Sequence, residues 1–120
     1  MIQLEPAAIR VCKILLKNIV NDKEADSSVR FFRKDVVTMT IWLFILKSFY
    51  EKKSINIEDI ARAIASSSRV SKPSLRLILE NGKRKGFIKF THNKKDQRSW
   101  IIEPETKTIN EFNQWSKIFA

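Results

Sequence analysis

The residues with most to offer chemically lie in one stretch, Ser71-Lys72-Pro73-Ser74-Leu75-Arg76. Ser71 is suited to cap a helix, Pro73 is tolerated in a first helical turn, and Leu75, Ile78 and Leu79 fall on one side of the helix that follows. Lys72, Ser74 and Arg76 then share the other side near the N-terminus, where they can approach base edges in a major groove about 12 Å wide. Arg76 suits a bidentate contact to guanine. Ser71 and Ser74 can donate to phosphate or base, and the helix N-terminus itself favours phosphate. Leu77, on the same helix, either meets a thymine methyl or packs.

Charge supports this chemistry through its distribution. The 120-residue chain carries a net +10, yet residues 66–98 alone hold ten basic residues against two acids, Glu80 and Asp96. A basic patch gains affinity for a polyanion by releasing counterions from phosphates. Arg69, Lys94, Lys95 and Arg98 belong to it. Lys83-Arg84-Lys85 serves equally well as a solvated helix end that complements the macrodipole.

These groups need elements to position them. Apolar spacing predicts a helix from Leu4 to about Asn21, wide enough in its apolar set to bury two faces, one of them against a second subunit. A polar loop over 21–28 follows. A central core helix runs from about Asp35 to Lys52 around Trp42, Leu46, Phe49 and Tyr50. Asn56 caps a short helix ending near Ala65, with Ile55 stapling onto Ile60. Serines 66–68 break the pattern before the helix of 71–85, which Gly86 closes. Phe87–His92 and Ser99–Glu103 alternate as two strands of a hairpin around a polar turn, and Pro104-Glu105 opens a last helix. The order is four helices, a hairpin and a helix. The fold class is mainly α with a small β-hairpin: a winged helix-turn-helix with flanking N- and C-terminal helices.

Residues 40–103 resemble a MarR-type transcription regulator. Thr40-Ile41-Trp42-Leu43-Phe44-Ile45-Leu46 resembles that family's helix leading into the motif, and Asp59-Ile60-Ala61 its scaffold-helix opening. Val70-Ser71-Lys72-Pro73-Ser74-Leu75 resembles its recognition-helix start, Lys83-Arg84-Lys85-Gly86-Phe87-Ile88 its exit into the wing, and Asp96-Gln97-Arg98 its wing tip. The resemblance implies that Arg98 enters the minor groove with Asp96 orienting it. It also implies a homodimer formed through the outer helices, and a small-molecule effector that no residue here identifies. Three departures stand out: a spacing from Ala61 to Ser71 about four residues longer than usual, Leu77 where the family is usually polar, and Gly82 inside a helix.

The expected chain is one domain, residues 1–120: an N-terminal helix and loop over 1–34, a winged-helix core over 35–103 and a C-terminal helix over 104–120. Double-stranded DNA is the expected partner. No cofactor, metal or membrane partner is expected, and a cytoplasmic, nucleoid-associated location follows from the lone Cys12 and the absence of a leader pattern. Cys12 reads as a small buried hydrophobe, His92 as a surface residue, and Phe44, Phe49 and Phe90 as core. With one His and one Cys there is little material for an enzyme. The alternative is a winged-helix protein-interaction module in a replication or transcription assembly.

Overall fold

Side-chain caps begin four of the helices. Asp35 accepts from the Thr38 N–H at 2.7 Å to start α3, Val36–Tyr50. Asn56 and Asp59 exchange bonds with each other's backbone N–H to start α4, Ile57–Ile64, in a reciprocal capping box. Ser71 accepts from the Ser74 N–H to start α5, Lys72–Arg84. Ser27 accepts from the Arg30 N–H to start a five-residue helix α2, Ser28–Phe32. The computed structural model describes residues 6–20, 27–65, 70–93, 95 and 99–117, with 18–20 as backbone. Within them α1 spans Ala7–Val20, β1 Ile88–His92, β2 Trp100–Pro104 and α6 Thr106–Ser116.

The two strands pair antiparallel with Ile88 opposite Pro104 and His92 opposite Trp100. Ile102 N–H also donates to Ile55 O at 2.9 Å, so the hairpin is tied to the residues that lead into α4. Trp42, 1% exposed, lies at the centre of the body. Its ring stacks on Phe32 with centroids 5.8 Å apart, meets Phe112 edge-on at 5.1 Å and touches Trp115 at 5.1 Å. Aromatic pairs in these geometries add roughly 0.5–1.5 kcal/mol each beyond the area they bury. Through them α2 and α6 close over α3.

Two glycines shape the approach to the hairpin. Gly86 takes φ +79 after the last turn of α5, a conformation that a side chain would strain. Gly82 is buried, and a Cβ there would meet Ile88 Cδ1 and Cγ1 at 3.3 Å. That close seat for β1 explains why α5 tolerates glycine within it.

Several expectations are corrected. α2 was not expected; five residues are too few to show a helical period, and α2 is held from outside, by Ser28, whose N–H and Oγ both donate to Glu111 Oε1 at 2.9 and 2.6 Å. Cys12 is exposed, not buried, because α1 packs little against the body: Ile14 and Leu15 are its half-buried side chains, while Ile9, Val11 and Leu16 are open. Phe49 is exposed and packs edge-on against the equally open Tyr50, whose hydroxyl donates to Asn113 Oδ1. Pro104 closes β2 and does not open α6. No described helix is long and apolar enough to cross a membrane.

Candidate nucleic-acid interface

α5 is oriented by what it buries. Leu75 and Leu79 are each 1% exposed and Ile78 is partly buried against the same core, which turns Lys72, Pro73, Ser74, Arg76 and Leu77 outward. The sequence-derived face is therefore brought together on one exposed surface. Leu77, 62% exposed, stands among these polar groups and does not pack.

The hydrogen bonds of this surface refine the roles of its residues. Ser71 Oγ donates to Ser74 Oγ at 2.9 Å while accepting the Ser74 N–H, so Ser71 spends its hydroxyl on the cap. Ser74 keeps its own hydroxyl proton for a ligand. Lys72 Nζ lies 2.7 Å from Glu58 Oε1 on α4. Both side chains are at least half exposed, so the pair contributes at most about 1 kcal/mol, and a phosphate can compete for the lysine. Arg76 makes no hydrogen bond or ion pair with another described residue, and so is the cation best placed to bind in two-pronged fashion. The Glu58–Lys72 pair was not anticipated: its partners are fourteen residues apart and meet only through the crossing of α4 and α5.

The hairpin supplies the second part. Lys95 is exposed, with its backbone N–H donating to Asn93 Oδ1 at 2.9 Å. Asn56 Nδ2 donates to Ser99 Oγ at 3.3 Å, linking the hairpin's far end to the capping residue of α4. Arg69, Lys94, Asp96 and Arg98 lie outside the described residues. Among the described residues no group of His, Cys, Asp and Glu is arranged to hold a metal ion.

At the other end of α5, charge is gathered that the sequence did not group. Arg84 and Lys85 line a groove of about 550 Å³ together with Arg30 and Lys34 from the α2 region and Lys107 from α6. Phe31 and Phe87 form its apolar walls, with Lys34 Nζ 4.3 Å from the Phe31 ring centroid and Lys107 Nζ 5.4 Å from that of Phe87. Ring faces offset part of the repulsion between neighbouring cations. Lys83 lies outside this groove, with its Nζ 5.0 Å from the Phe90 ring centroid.

Two consecutive capped helices, the second with an exposed polar face, and an antiparallel hairpin hydrogen-bonded through Ile102 to Ile55 ahead of the first of them make a winged-helix fold. Solved structures share the fold over nearly the whole chain. S. aureus MepR bound to ethidium bromide is similar with a TM-score of 0.66 and 17% identity, over 93% of this chain and 71% of that one. S. aureus MepR in complex with DNA gives 0.64 and 19%, over 95% and 83%. Wild-type MarR from E. coli, without ligand, gives 0.55 and 14%, over 98% and 78%. No family model matches this sequence, and no curated protein matches it.

Proposed function

We propose that the chain is a double-stranded DNA-binding transcription regulator of the MarR type, non-enzymatic, with α5 in the major groove and the wing in the minor groove. The observation that carries this reading is the exposed N-terminal face of α5, where Ser74 and Arg76 project from a helix anchored by Leu75 and Leu79. That MepR, with the same fold, has been solved on DNA supports the choice of partner. On this reading Arg76 reads a base, and Ser74, Lys72, Arg69, Lys94 and Lys95 engage the backbone. Arg98, oriented by Asp96, enters the minor groove. The chain acts as one domain over 1–120 in the cytoplasm, at the nucleoid. Two copies pair through the exposed apolar surface of α1 and read a pseudo-palindrome.

Fluorescence anisotropy on a duplex selected from a random pool, titrated at several salt concentrations, tests this. Arg76→Ala is expected to relax preference at one base position by about 1–3 kcal/mol. Lys95→Ala is expected to weaken binding to every sequence and to lower the salt slope by about one. No binding even at low salt overturns the reading.

A further inference from the structure

The hairpin has two faces, and one of them runs past the end of the core. On that face the first two rungs of the ladder, Ile88 opposite Pro104 and Phe90 opposite Ile102, pack into or against the body. The third rung is His92 opposite Trp100, and it has left the core: His92 is exposed and Trp100 is 46% exposed. Their rings lie 4.0 Å apart between centroids and 33° from parallel. His92 thus supports one side of the indole, and much of the remainder is presented to solvent.

A lone exposed tryptophan is unremarkable on a protein surface. Here it is braced by a second ring at the end of the hairpin tied to the α4 cap through Asn56 and Ser99. Exposed Lys95 lies in the same connection, and residues 93–99 carry three cations against one acid in the sequence. A flat apolar ring at the end of a connection that carries an exposed lysine fits a polymer that alternates apolar sugar with phosphate.

We propose that Trp100, backed by His92, is a DNA contact of the wing, packing its open side against deoxyribose at the minor-groove edge of the duplex. The contact rests on the duplex-binding reading above. It is a sequence-tolerant and largely salt-independent part of the affinity, because it buries apolar surface and neutralises no phosphate.

Of the three tryptophans, Trp42 and Trp115 are buried, so acrylamide quenching of the full chain reports chiefly on Trp100. Saturating duplex is expected to shield this emission, and Trp100→Phe to remove the DNA-dependent change. Trp100→Ala is expected to weaken binding about tenfold on every sequence with the salt slope unchanged, Trp100→Phe much less. Thermal melting by circular dichroism verifies that both variants fold. If Trp100→Ala does not fold, the quenching arm and Trp100→Phe decide. Duplex binding that leaves Trp100 as open to acrylamide as before overturns this contact alone. Absence of any duplex binding at low salt overturns the duplex reading and this contact with it.

Discussion

The body and α1 treat the same kind of residue in opposite ways. In the body, Phe32, Trp42, Leu46, Ile60, Ile64, Leu75 and Leu79 are each 2% exposed or less. In α1, Ile9 is 47% exposed, Val11 41% and Leu16 61%. Burial stabilises by roughly 25 cal/mol per Å² of apolar surface, so the seven buried residues support the fold of the body, whereas Ile9, Val11 and Leu16 contribute little to it. The dimer proposed above would cover these three side chains.

The largest test of that contrast is the centre of the body. Trp42→Ala is expected to cost about 3–5 kcal/mol, because it empties the space between Phe32, Phe112 and Trp115 and lets α2 and α6 loosen together. Trp42→Phe is expected to cost much less, since it keeps a ring and removes an indole Nε1 that is buried without a hydrogen-bond partner. Urea unfolding followed by far-ultraviolet circular dichroism measures both. A Trp42→Ala variant as stable as the parent would show that the aromatic cluster is not the keystone of the body.

Next comes α1. Leu16→Lys is expected to shift the chain from dimer to monomer in light scattering, by about 3 kcal/mol over the two copies, while leaving the unfolding transition of dilute monomer almost unmoved. The same substitution at Leu46 or Leu79, each 1% exposed, would abolish folding. Loss of folding in Leu16→Lys monomer would erase the distinction between the two regions.

This contrast also marks where the sequence was legible. α4, α5 and the end of α5 were readable because their signals are local: Asn56 with Asp59, Ser71 before Pro73, and Gly86 in the left-handed region. The face bearing Ser74 and Arg76 followed from the spacing of Leu75, Ile78 and Leu79. What escaped was decided across long separations. α2 depends on Glu111, eighty-three residues from Ser28, and the Glu58–Lys72 pair and the groove of Arg30, Lys34, Arg84, Lys85 and Lys107 exist only once helices cross. Cys12 escaped for a different reason: helical periodicity identifies an apolar residue but not whether its own chain covers it.

The smallest expected effect sharpens the comparison from within the body, at the entrance to α3. The Thr38 backbone N–H bonded to Asp35 is the main influence holding that carboxyl below its ordinary value of 3.8, against a partial opposing effect of burial. A carboxyl depressed in the folded state stabilises fully above its unfolded value, and the contribution disappears as pH falls through the folded value. Asp35→Ala is therefore expected to cost about 1 kcal/mol at neutral pH and progressively less as the pH drops below 3.8. Asp35→Asn, which can still accept the Thr38 N–H, is expected to retain most of the cap without its pH dependence. Chemical denaturation of the three chains at neutral and acid pH checks this. Equal losses for Asp35→Ala at both pH values would mean that the residue acts through something other than its ionised cap.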